Sequence, residues 1–230
     1  MTDHKDIYAR QADSYEQLVA HEDYQGSIEK ALRAITPLES MDVVELGAGT
    51  GRLTCLLAPQ VQWLRAFDIS PHMLAVAQAK LETRGLRNWS LAVADHRRLP
   101  VRDASADVVL SGWSVCYLVD WNRQAWQADV EQALAEMGRA ARPGGVLILL
   151  ETQGTGFETP HPPEHLQAYY RLLAEKGFKS TWIRTDYQFD SLEQAVELAS
   201  FFFGEALAEQ VKITASPILP ECTGVWWKTI

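Results

Sequence analysis

Cysteine is scarce in this chain: Cys55, Cys116 and Cys222 are all that 230 residues contain. Three widely spaced thiols build no disulfide framework and no CxxC metal site, and no triplet exists to hold an iron–sulfur cluster. A reducing cytoplasm is the compartment this predicts. A long apolar run is missing too, so no membrane span is expected. The first residues, MTDHKDIYARQADSYEQ, are polar and mixed in charge and do not read as a signal peptide. Positive charge is short: 21 Lys and Arg stand against 30 Asp and Glu, a formal net charge of −9. That sign repels phosphate backbones and argues against a nucleic-acid partner. Repeats, charge blocks and low-complexity tracts are lacking. What is present, 47% apolar and 22% charged residues, is the balance of a globular protein of one domain.

The hydropathy pattern divides this domain into three parts. Residues 1–36 read as an N-terminal helical lid, with Tyr8, Ala12, Tyr15, Leu18 and Val19 at helical spacing and Ser27–Ile35 repeating the pattern. Residues 37–151 alternate short apolar runs with amphipathic stretches. The strand-like runs are Asp42–Leu46, Trp63–Phe67, Trp89–Val93, Asp107–Leu110 and Val146–Leu150. Helix-like segments near Arg52–Ala58, Pro71–Thr83 and Arg123–Ala140 lie between them. Ser70 and Pro71 suit an N-cap and first turn, and Pro143-Gly144-Gly145 stops the third helix. Such alternation predicts an α/β, doubly wound, Rossmann-like and mostly parallel sheet. Residues 152–230 break the rhythm: helix over Pro162–Gly177, strand over Lys179–Phe189, helix over Leu192–Val211, strand over Gly224–Ile230. An antiparallel terminal strand pair closing one sheet edge is the expectation.

The chemistry concentrates at Val43-Val44-Glu45-Leu46-Gly47-Ala48-Gly49-Thr50-Gly51-Arg52-Leu53. An apolar strand runs into alternating glycines and then into a helix whose first N–H groups are unpaired. In an open α/β sheet that is where ligands bind. The dinucleotide fingerprint is GxGxxG; here the spacing is GxGxG, and Glu45 precedes it. A carboxylate there disfavours a pyrophosphate and suits a ligand with an ammonium group. Asp68 ends the second strand, where a carboxylate can accept both hydroxyls of a ribose. Asp95 ends the third, where it can accept from an exocyclic amine. Helix capping is the competing role for both acids. The fourth strand exits through Ser111, Gly112 and Trp113.

These segments together resemble the class I S-adenosylmethionine-dependent methyltransferases. VVELGAGTGRL looks like the family's first motif, FDIS with PHMLAVA its second, and Asp95-His96 its third. ADVVLSGWSVCYL and RAARPGGVLILLE look like its fourth and fifth strands. The resemblance implies a seven-stranded sheet and S-adenosylmethionine as cofactor, with S-adenosylhomocysteine as product. It implies that Gly47, Ala48, Gly49 and Gly51 lie beneath the methionine part, with Glu45 near its ammonium. Asp68 would hold the ribose, Ile69 and Met73 would flank the adenine, and Asp95 and His96 would meet its edge. Ser111 and Gly112 would lie beside the sulfonium. Tyr8 and Tyr15 look like tyrosines that cover the cofactor; plain helix packing is the other reading.

Methyl transfer from a sulfonium needs neither metal nor protein nucleophile, so no catalytic residue follows from the reaction class. A base is required only if the acceptor must lose a proton, with His72, His96, His161 and His165 as candidates. Trp113 and Tyr117 are the expected acceptor contacts, with helix packing the alternative for Trp113. The fourth-strand exit lacks the Asn/Asp-Pro-Pro-aromatic motif of enzymes that methylate amide or nucleobase nitrogens, which leaves a small-molecule acceptor. Phe201-Phe202-Phe203 with Trp226-Trp227 predicts core packing or a homodimer edge. A non-catalytic cofactor-binding module and a nicotinamide-dependent oxidoreductase are the competing functions.

Overall fold

In the computed structural model, which describes Ile7, Tyr8 and residues 10–230, every second residue of the central strands faces a different core. Strand β1 (Asp42–Leu46) sends Val44 and Leu46 to one side and Val43 to the other. That two-sided burial is why the run is continuously apolar instead of alternating. On one face, α6 (Trp126–Ala140) and α7 (Gln167–Glu175) bring Val130, Met137, Tyr169 and Leu173 onto the sheet. On the other, α2 (Ser27–Ile35), α3 (Arg52–Leu57) and α4 (Pro71–Thr83) contribute Ile28, Leu32, Leu53, Leu57 and Leu74.

The remaining sheet strands are β2 (Trp63–Asp68), β3 (Trp89–Val93), β4 (Ala106–Gly112), β5 (Ala141–Thr155), β6 (Lys179–Arg184) and β9 (Glu221–Thr229). Their spatial order is β3-β2-β1-β4-β5-β9-β6. The first five are parallel; β9 runs antiparallel to both β5 and β6. This is the expected doubly wound sheet with an antiparallel closing pair. The order reverses between β1 and β4, so the carboxyl ends of those strands flank a crevice.

Several boundaries differ from the sequence reading. The strand expected over Lys179–Phe189 ends at Arg184, because Asp186 turns inward: its carboxylate accepts from the Arg184 guanidinium (2.7 Å) and from the backbone N–H of Glu221 (3.0 Å). A short β7 (Tyr187–Gln188) follows and pairs with β8 (Ile218–Leu219) as a separate ribbon. The helix expected over Leu192–Val211 is two, α8 (Leu192–Phe203) and α9 (Glu205–Thr214). They separate at Gly204, whose φ of +93° no interior helical residue adopts. Pro162 and Pro163 lie ahead of α7 rather than within it. The other helices are α1 (Ala12–Val19) and α5 (Tyr117–Trp121). Ile7, Leu18, Phe189, Leu198 and Phe202 form a third core between the N-terminal segment and the α8–α9 insertion. Met1–Asp6 and Ala9, part of the expected N-terminal lid, lie outside the described residues. Among the described residues no helix is long and apolar enough to cross a membrane.

Candidate active site

The chain turns sharply after β1 through Gly47 and Gly49. A Cβ on Gly47 would lie 1.9 Å from the Ser114 hydroxyl. A Cβ on Gly49 would project into open cleft, its nearest neighbour a Tyr15 ring carbon at 3.9 Å. Both glycines have positive φ. Asp68, at the end of β2, ties this loop down: one carboxylate oxygen accepts from the Gly49 N–H and the other from the Ser70 N–H, each at 2.8 Å. Each oxygen keeps a second lone pair for a ligand donor.

Glu45 is buried, accepts from the Thr54 hydroxyl at 2.7 Å, and lines the same cleft. Burial away from water pushes its carboxyl up to about 8, against the smaller pull of Thr54. His96 comes from the loop after β3, with Nε2 2.9 Å from the Ser114 hydroxyl; burial lowers its basicity. Ala48, Thr50, Ile69, Met73 and Gly112 complete the cleft. Tyr8 and Tyr15 roof it and pack edge-on at 5.3 Å, so covering and packing are the same act here. Tyr15 also meets Phe202 of α8 at 5.5 Å.

Three expected residues are elsewhere. Asp95 does not line the cleft: Arg97, two residues on, takes both its oxygens at 2.7 and 2.9 Å and links it to Asp129. Ser111 is fully buried inside β4, one residue short of the cleft. Gly51 faces α4: a Cβ there would stand 2.8 Å from the Ala77 methyl, so this glycine lets two helices approach. Of the candidate bases, His161 and His165 do not line this cleft. His161 stacks on Phe157 at 4.2 Å, and His165 Nε2 lies 3.3 Å from an Asp120 oxygen.

A second cavity, about 250 Å3, adjoins the first and shares Tyr15, Val19, Arg52, Trp113 and Tyr117 with it. Trp113 leaves β4 at φ +48°, which turns its ring into the shared wall. The Arg52 guanidinium lies 3.6 Å above the centre of that ring and ion-pairs with Glu22. Tyr187, Phe202, Phe203, Glu221, Asp120 and His165 line the far side. Arg52, Glu22, Tyr187 and Glu221 were missed by sequence reasoning. Only Arg52 carried a signal, its position directly after the glycine loop.

Residues 44–149 match the family described as a methyltransferase domain. The malonyl-[acyl-carrier protein] O-methyltransferase of Marinomonas sp. is 31% identical over 144 residues, 61% of this chain and 48% of that protein. The ubiquinone/menaquinone biosynthesis C-methyltransferase of Rubrivivax gelatinosus is 32% identical over 143 residues, 62% and 49% respectively. The chain thus spans about half the length of the curated relatives it matches. Among solved structures, a SAM dependent methyltransferase from Aquifex aeolicus superposes with TM-score 0.58 at 18% identity, covering 88% of this chain and 89% of that one. The YcgJ protein of Bacillus subtilis gives TM-score 0.61 at 15% identity, with 90% and 98% covered. Over residues 44–149, with the strand order and the glycine loop described above, the chain is thus similar to a methyltransferase domain.

Proposed function

We propose that this protein transfers a methyl group from S-adenosylmethionine to a small-molecule acceptor seated in the second cavity. The observation that carries this reading is the shared wall: Trp113 and Tyr117 line both the Gly49–Asp68 cleft and the second cavity. A module that only bound the cofactor has no use for that second space.

In this reading Asp68 holds the ribose hydroxyls with the lone pairs left over from Gly49 and Ser70. The backbone at Gly47–Gly49 lies beneath the methionine part, with Glu45 at its ammonium, and Ile69, Met73 and His96 border the adenine. When bound, S-adenosylmethionine supplies a methyl group on a positively charged sulfur. The chain's own contribution is placement and dryness. Trp113 and Tyr117 align the acceptor across the shared wall, while Tyr8 and Tyr15 keep water out. The curated relatives act on a malonyl-[acyl-carrier protein] and in quinone biosynthesis. Their matches cover 61% and 62% of this chain, and the acceptor cavity is argued from its own residues.

Two measurements test the reading. Calorimetry should show S-adenosylhomocysteine binding in the micromolar range and no heat with NAD. Labelled S-adenosylmethionine incubated with pooled small metabolites should pass its methyl to a low-mass product. Binding without any transfer to any fraction would make the protein a cofactor-binding module instead.

A further inference from the structure

Of the chamber's three acids, two face a basic side chain. Arg52 faces Glu22, and Asp120 faces His165. Glu221, at the start of β9, is 2% exposed and lines the chamber without a cationic partner. One of its oxygens accepts from the Thr152 hydroxyl at 2.8 Å; the other, Oε2, has no hydrogen-bond partner among the described residues. A buried carboxylate left this way costs stability, and sites that retain one commonly use it. Around it stand Tyr15, Tyr187, Phe202 and Phe203, with Trp113 already carrying the Arg52 cation on its face.

Resting on the reading of the chamber as the acceptor site, we propose that the acceptor carries an ammonium group, which the Glu221 carboxylate receives beside these aromatic rings. Ring faces attract cations and a lone carboxylate completes the recognition. Among the described residues the chamber's lining offers an anionic acceptor no Lys or Arg beyond Arg52, which already faces Glu22. The groups facing Glu221 are Glu22, Arg52, Tyr187, Tyr170 and the hydroxyls of Thr152 and Thr155. Burial, with Glu22 adding to it, pushes the Glu221 carboxyl up to about 8, while the two threonines and Arg52 pull down. The site therefore rests protonated near neutral pH. An arriving ammonium makes the ionised form favourable, and the carboxyl proton passes to solvent.

Three probes of one shape decide the matter: benzylammonium, benzyl alcohol and benzoate, titrated into the protein with and without S-adenosylhomocysteine. Benzylammonium should bind about tenfold more tightly than benzyl alcohol, and benzoate more weakly than both. Titration in two buffers of different ionisation enthalpy should show nearly one proton released at about pH 6.5 and few at about pH 8.5, where the probe is still mostly ammonium. Glu221→Gln should erase both the preference and the proton release while S-adenosylhomocysteine still binds. The wild-type ranking stands as a test even if that variant fails to fold. Equal or better binding of the alcohol or the benzoate, binding of none of the three, or ammonium binding without proton release would overturn the assignment. Failure of S-adenosylhomocysteine to bind would instead strike the cofactor reading of the neighbouring cleft.

Discussion

Asp68 shows how much one side chain can do at a strand end. Its two oxygens hold Gly49 and Ser70, and their spare lone pairs face the cleft. Asp68→Ala is expected to weaken S-adenosylhomocysteine binding by about 1.5–3 kcal/mol, the range for hydrogen bonds to a charged group. Calorimetry at fixed salt checks it; unchanged affinity would reduce the residue to a loop tie. The two glycines nearby separate binding from stability. Gly49→Ala places a methyl in the open cleft, and affinity should fall at least about tenfold with only the left-handed backbone strain, about 1–2 kcal/mol, lost from stability. Gly51→Ala adds a clash with Ala77 to the same strain. It should cost about 2–5 kcal/mol of stability in a denaturant titration, the fitted cofactor affinity of the remaining folded protein changing little. Asp68 and Gly49 were legible in the sequence because a strand's end fixes where its last side chain goes. Asp95 was not, because a guanidinium two residues along captures it, and spacing alone does not say whether an arginine turns inward or outward.

The N-terminal segment behaves as an element between two loyalties. Lys80 of α4 reaches Glu16 of α1 at 2.6 Å, and the Ser70 hydroxyl donates to the Tyr8 carbonyl at 2.8 Å. Of its own residues α1 buries Ala12, Leu18 and Val19. The segment's rings bridge the cleft to α5 and α8, with Tyr8 5.4 Å from Tyr117 and Tyr15 5.5 Å from Phe202. A segment with so little buried apolar surface opens at low cost, and a ligand beneath the two tyrosines would raise that cost. Hydrogen exchange around residues 10–19 should therefore slow when S-adenosylhomocysteine is added. Equal protection with and without ligand would make the helix a fixed roof. Its helical character was visible from the spacing of Ala12, Tyr15, Leu18 and Val19. Its partner was not, because the insertion that carries Phe202 lies at the far end of the chain.

At the scale of the whole molecule, the sheet was legible and the chamber was not. Each core strand announces itself by local composition, and right-handed crossovers then order the strands. The chamber gathers Glu22, Arg52, Trp113, Tyr187 and Glu221 from five separate elements and loops, and no local pattern joins them. What they share is burial, and burial of acids has a consequence for the entire fold. Glu45 and Glu221 are pushed up to about 8 and Glu151 to about 7, in each case chiefly by removal from water. In the unfolded chain all three ionise near pH 4.3. A carboxyl whose folded value is raised contributes stability that is fully present below the unfolded value and is lost as pH rises through the folded one, with a slope of up to about 1.4 kcal/mol per pH unit for each group. Opposing this, Asp95 and Asp129 are held down by Arg97 and Glu136 by Arg139, so their stability is lost as the solution becomes strongly acidic. Buried His96, its value lowered by burial, likewise favours higher pH, but one imidazole faces three carboxyls. Thermal stability should thus peak at mildly acidic pH, about 5, and fall steadily toward pH 9. A melting series across that range tests it, and a melting temperature that stays level or rises between about pH 5 and 8 would refute it. Glu45→Gln, which keeps the shape and removes the ionisation, should flatten part of the decline and leave the variant more stable than the parent above about pH 8.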